Sequence, residues 1–118
     1  MALTIYIAGP MRGYKHYNFP AFDAARDRLI VAGFDVISPA DLDREAGHHF
    51  NDVPEDYDWS TVPASFSLLA AVRRDLDAIL RSNAICMLPG WENSKGATAE
   101  LAVARWLGLT VYHAADFE

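Results

Sequence analysis

Apolar positions fall into short runs of β-forming residues separated by stretches in which they recur at helical spacing. Leu3–Ala8 is a β-rich run that stops at Gly9-Pro10, predicting a first strand. Asn18-Phe19-Pro20 is a helix start, and Phe22, Ala25, Leu29 and Ala32 then recur at helical spacing up to Gly33. Phe34–Ser38 predicts a second strand, closed by Pro39. Residues 41–65 are polar, rich in Asp, His, Pro and aromatics, and show no clean period, so they read as a long loop with room for a short helix. A loop of this length in a small domain is often functional. A helix is predicted from Phe66 to Arg81, with apolar positions at Leu68, Leu69, Val72, Leu76, Ile79 and Leu80. A strand follows at Ala84–Leu88, then the turn Pro89–Asn93, a helix from Ser94 to Gly108, and a last short strand at Thr110–His113.

Strands alternating with helices predict a small doubly wound α/β fold, Rossmann- or flavodoxin-like. Its parallel sheet would have four to five strands, with helices on both faces. Ligands in such folds bind outside the carboxyl ends of the strands. The turn-rich segments Gly9-Pro10-Met11-Arg12-Gly13 and Pro89–Ser94 both fall on that edge.

Two carboxylates stand out against this frame. On the helix after Ser94, the positions Gly96, Ala97, Glu100, Val103, Ala104 and Leu107 share one arc. The rest of the arc is small or apolar, and the i+3 and i+4 neighbours of Glu100 are Val103 and Ala104, which supply no cation. Glu100 is therefore expected to face protein rather than water. A carboxylate so placed is either satisfied by hydrogen bonds from another strand or catalytic. Asp75 lies at the edge of the preceding helix's apolar face, whereas Asp77 lies opposite, beside Arg73 and Arg81, as a solvated pair. A partly desolvated Asp75 would hold a proton near neutrality; the bland alternative is local pairing. Two carboxyls in unlike surroundings suit glycosidic bond cleavage.

Ser94 is placed to cap the Glu100 helix, leaving the amides of Lys95 and Gly96 open to an anion. Arg12-Gly13 would add donors to the same anion. No phosphate-loop or dinucleotide fingerprint is present. Off the Glu100 arc, Leu101, Ala102 and Trp106 leave this helix apolar nearly all round, which predicts a second packing surface and hence a homodimer or higher homo-oligomer.

The chain has 118 residues, enough for one domain, here 1–118, and a formal charge of −6, which argues against a nucleic acid polymer as partner. The single cysteine, Cys86, lies in an apolar run and reads as a buried thiol. No cationic leader or membrane-length apolar run is apparent, which predicts a cytoplasmic protein without membrane attachment. His48, His49, Asp52, Asp56 and Asp58 match no metal-ligand spacing, so neither a metal nor another cofactor is expected. Tyr14, Tyr17, Phe50, Tyr57, Trp59 and Trp91 could stack on a base or simply pin loops.

Tyr6-Ile7-Ala8-Gly9-Pro10-Met11-Arg12-Gly13, Arg74-Asp75-Leu76 and Ser94–Glu100 together resemble the nucleoside 2-deoxyribosyltransferase superfamily over nearly the whole chain. With the turn Leu88–Ser94, the resemblance is closest to a small branch common in bacteriophages, which would place the protein in the host cytoplasm. The resemblance implies that Glu100 attacks the anomeric carbon, Tyr6 holds that carboxylate, and Asp75 assists at the base. Base-swapping members tend to carry an aspartate six positions before the nucleophile. This chain has Ser94 there, as the nucleoside 5′-monophosphate N-glycosidases do, which tilts the expectation toward a nucleotide bound through Gly9, Met11, Arg12, Gly13, Ser94, Lys95 and Gly96. Base exchange between nucleosides, a nucleotide-binding module without turnover, and cleavage of a nicotinamide nucleotide are the alternatives.

Overall fold

In the computed structural model, residues 2–48, residue 56 and residues 67–118 are described. The strands β1 (Thr4–Ala8), β2 (Asp35–Ile37), β3 (Ala84–Met87) and β4 (Thr110–His113) form one parallel four-stranded sheet in the order β2-β1-β3-β4. Helices α1 (Phe19–Val31), α2 (Pro39–Glu45), α3 (Leu68–Leu80) and α4 (Lys95–Trp106) connect and cover it. This is the doubly wound α/β fold expected, with four strands among the described residues.

Alternation along the central strands divides the core. Ile5, Ile7, Cys86 and Leu88 pack with Phe19, Phe22 and Leu29 of α1 on one face. Tyr6, Ala8, Ile85 and Met87 pack with Ile79 of α3 and with Leu101 and Ala104 of α4 on the other. This is the period-two consequence of the pleat: both faces of β1 and β3 are buried, so both strands are almost wholly apolar.

The strand order reverses between β1 and β3, and at this switch point the loops leaving the two strands meet. A Cβ at Gly9 would lie 2.7 Å from Cβ of Leu88, so the first residue after β1 has no room for a side chain. Gly90 has φ +87°, and a Cβ there would collide with the Tyr14 hydroxyl. Asn18 does not cap α1 with its side chain; its Nδ2 donates instead to the Pro10 carbonyl at 2.7 Å, tying the β1 loop to the helix start.

β2 ends ahead of Pro39, and that proline also begins α2, the short helix for which the expected loop had room; residues 49–55 and 57–66, with His49, Phe50, Asp52, Tyr57, Asp58, Trp59 and the expected helix start at Phe66, lie outside the described residues. Two sequence expectations need correction. The apolar positions of α3 are mostly not core: Leu68, Val72 and Leu80 are 59%, 42% and 63% exposed. The helix meets the sheet through Ala78 and Ile79 near its end, while Leu68, Val72 and Leu76 line a cleft. On α4, the stripe against the sheet is Ala97, Leu101 and Ala104, whereas Gly96 and Leu107 are exposed. Leu101 therefore takes the core position, and the flank carrying Glu100 turns toward the cleft.

Candidate active site

A cleft of about 700 Å³ opens at the switch point, between the loops after β1 and β3 and the facing sides of α3 and α4. That volume suits a small ligand of nucleotide size. Gly9, Met11, Arg12, Asp75, Ser94, Lys95, Gly96 and Glu100 all line it. Of the expected residues, Tyr6 lies fully buried beneath, and Gly13 is exposed with open space around its Cα. The structure gives Gly13 no place among the lining residues.

Glu100 projects from the second turn of α4, and its carboxyl is desolvated although the residue as a whole is half-buried. Tyr6, fixed in the middle of β1 opposite Ile37 and Ile85, donates its hydroxyl to Glu100 Oε2 at 2.6 Å. A hydrogen bond from another strand thus satisfies one carboxylate oxygen. Burial lifts the Glu100 carboxyl from 4.5 to about 8, opposed by the Tyr6 hydrogen bond and reinforced by the charge of Asp75. Burial, then the Glu100 charge, raises Tyr6 well above the usual phenol value, so it remains a protonated donor.

Asp75 sits on α3 and does pair locally, but the partner is itself shared. Arg74 donates to Asp75 Oδ1 from Nε at 3.0 Å and from Nη2 at 2.8 Å. The same Nη2 lies 2.8 Å from Oδ1 of Asp43, a residue of α2 that is 3% exposed. Burial raises Asp75 from 3.8 to about 6 against the pull of Arg74. Asp77, by contrast, forms an exposed pair with Arg81 at 3.0 Å, as its position opposite the apolar face requires.

At the cleft's other end, Ser94 caps α4: its Oγ accepts from the Ala97 amide at 3.1 Å. Accepting that bond leaves the hydroxyl proton available to a ligand. The amides of Lys95 and Gly96 open the helix beside it, and α4 directs its positive end into the cleft. Arg12 is oriented by a hydrogen bond to Tyr17, whose ring stacks edge-on with Phe19. Tyr17 is therefore a lining residue with a packing role, and Trp91 packs near His113 against the second core cluster.

Asp43 was missed by sequence reasoning because α2 was hidden in the expected loop. Ser38-Pro39 with Asp41 in the first turn was the available signal, since proline at the first helical position is favourable. Among the described residues, no His, Cys, Asp and Glu cluster could hold a metal, and no helix is long and apolar enough to cross a membrane. Cys86 is buried, and burial pushes its thiol up to about 12, which leaves it chemically inert.

Fold and site together define a small flavodoxin-like α/β domain with a two-carboxylate cleft at its topological switch point. A family model described as a domain of unknown function, DUF4406, matches residues 3–113, and the chain belongs to that family. No curated protein matches the chain significantly.

Proposed function

We propose that the protein breaks the N-glycosidic bond of a (deoxy)nucleoside 5′-monophosphate, as a branch of the nucleoside 2-deoxyribosyltransferase superfamily. The observation that carries this reading is the buried Tyr6 hydroxyl on Glu100, 2.6 Å away, in a cleft shared with Asp75. A Glu100 oxygen attacks the anomeric carbon as its bond to the base breaks, and Asp75 gives its proton to the departing nitrogen. Water, or a second base, then displaces the ester and restores Glu100, and Asp75 recovers its proton. Ser94, the Lys95 and Gly96 amides and Arg12 bind the phosphate. Exposed Leu68, Leu69 and Trp106 support the homo-oligomer proposed with it.

The ionisation order is the reverse of the roles, with Glu100 near 8 and Asp75 near 6. The reacting species is then the minor arrangement of a singly protonated pair, populated between those two values. The same observation favours a second reading, a nucleotide-binding module in which a neutral Glu100 holds a ligand without turnover.

The experiment is a panel of nucleoside 5′-monophosphates, the matching nucleosides and a nicotinamide nucleotide, assayed for free base by chromatography. Base release from a monophosphate, lost in Glu100→Ala, is expected, and an added second base distinguishes transfer from hydrolysis. Equal release by Glu100→Ala would eliminate the mechanism, and tight calorimetric binding of a nucleotide that stays intact would favour the binding module.

A further inference from the structure

The Arg74 guanidinium is held between two carboxylates of unlike exposure. Its Nη2 touches Asp43 and Asp75, each at 2.8 Å, while Asp43 is nearly inaccessible on a separate helix. Stability alone is a poor account of this arrangement. A buried ion pair gains little over an apolar pair of the same volume, because desolvation offsets the attraction. The consequence that an apolar pair would not supply concerns Asp75.

An arginine bound to Asp75 alone would bring a full positive charge against that carboxyl and favour its ionised form. Asp43 competes for the same cation and adds its own negative charge from behind. We propose that Asp43 is a positioning residue for departure of the base: by sharing Arg74 with Asp75, it keeps Asp75 able to deliver a proton. The assignment rests on the glycosidic-cleavage reading above. In that step the Asp75 O–H bond breaks, its proton joins the base nitrogen, and the electrons of the breaking C–N bond stay with the base. Asp75 is left as the carboxylate that Arg74 then stabilises.

The groups that bear on Asp75 are Arg74 on its own helix, Asp43 on α2, Glu100 on α4 and Tyr6 on β1, with Tyr17 beside the cleft and His48 acting on Asp43. Of these, Asp43 lies outside the Tyr6–Glu100 hydrogen bond and meets Asp75 through Arg74, so changing it tests the sharing and spares the nucleophile.

The test uses the full chain with two substrates, a natural nucleoside 5′-monophosphate and a nitrophenyl deoxyriboside 5′-phosphate, whose leaving group departs without a proton. Asp43→Asn should move the acid limb of kcat/KM down by about one pH unit. It should also lower the natural-to-nitrophenyl activity ratio about tenfold, the factor that one unit of proton affinity represents. Arg74→Gln, which leaves Asp43 facing Asp75 without the cation, should move the limb up. It serves as the test should Asp43→Asn not fold, with folding checked by circular dichroism. A role in stability alone would lower both substrates alike and leave the limb in place, and that result overturns the assignment. No base release by the wild type would overturn the underlying reading and this assignment with it, whereas release with unmoved limbs in a folded variant overturns this assignment alone.

Discussion

On the α1 side of the sheet, Asp23 meets Arg44 at 2.7 Å and Arg26 at 3.4 Å, and Asp41 meets the same arginines at 3.1 and 2.7 Å. On the α4 side, Glu100 is met by the neutral hydroxyl of Tyr6, and Asp75 by an arginine that it shares with Asp43. Asp27 adds a third carboxylate on Arg26 at 3.0 Å, so the first group sets three anions against two cations, at the molecule's surface where water answers the remainder. The second is under-compensated and faces a cleft. Acidic side chains in this protein therefore differ less in type than in how completely their charge is answered. An incompletely answered charge in a dry site is the one whose proton can be used.

The largest effect should come from removing the least compensated charge. Glu100→Gln should abolish base release by about a thousandfold or more, the scale expected when a nucleophile is lost. The same variant should be more stable than the wild type at alkaline pH. Glu100 has its folded value raised from 4.5 to about 8, so its contribution to stability is present in full below 4.5 and is lost as pH rises through 8. Asp75 adds a loss between 3.8 and about 6. Thermal unfolding across this range should show the wild type falling and Glu100→Gln nearly level above pH 6. Parallel curves would mean that Glu100 is solvated after all.

Next in size is Tyr6→Phe. A hydrogen bond to a charged group is worth about 1.5–3 kcal/mol, so base release should fall about 10- to 100-fold. For the wild type, kcat/KM should be bell-shaped with limbs near 6 and 8, belonging to the pair rather than to either residue. Losing the hydroxyl disfavours ionised Glu100, so the alkaline limb should move up while the plateau drops. A drop with both limbs unmoved would assign Tyr6 to packing alone.

Ser94 separates phosphate binding from capping. Ser94→Asp retains a good helix cap, so Tm should hold. Its carboxylate would meet the nucleotide's phosphate, and KM for a monophosphate should rise about tenfold, as for an interaction of about 1.4 kcal/mol, while KM for the nucleoside stays. Equal effects on both substrates would place the phosphate elsewhere.

How much of this was legible follows from which signals are local. The spacing along α4 places Glu100 and Ser94 near the carboxyl edge from sequence alone, whereas Tyr6, in the middle of β1, was reached only through the family resemblance. Asp77 was readable as a solvated pair because its partner, Arg81, is four residues away on the same helix. Asp43 was not readable, since the seven residues of α2 are too few to show a period and its partner lies on another helix. The helical arc holding Glu100 was right in neighbours but turned by one position, because contact with the sheet selects Leu101 and no local rule does. Leu68 and Val72 carry an apolar pattern indistinguishable from core, yet they wall a cleft.

The smallest effects belong to the solvated rim, and they complete the contrast. Arg26→Ala should cost about 1 kcal/mol, since its half-buried guanidinium meets Asp23, Asp27 and Asp41 in partly screened pairs, and should lower Tm by about 4 °C. Added salt should shrink the difference, because such pairs are screened. Arg44→Ala should cost more, since its guanidinium also lies 4.7 Å from the centre of the Phe19 ring, a contact that salt screens less. Salt titration of both variants by thermal unfolding separates the two contributions. Neither change should move the limbs of the pH profile: a rim variant that shifted them would mean that the α1 side communicates with the carboxyl cleft, and the division between answered and unanswered charge would no longer mark the chemistry.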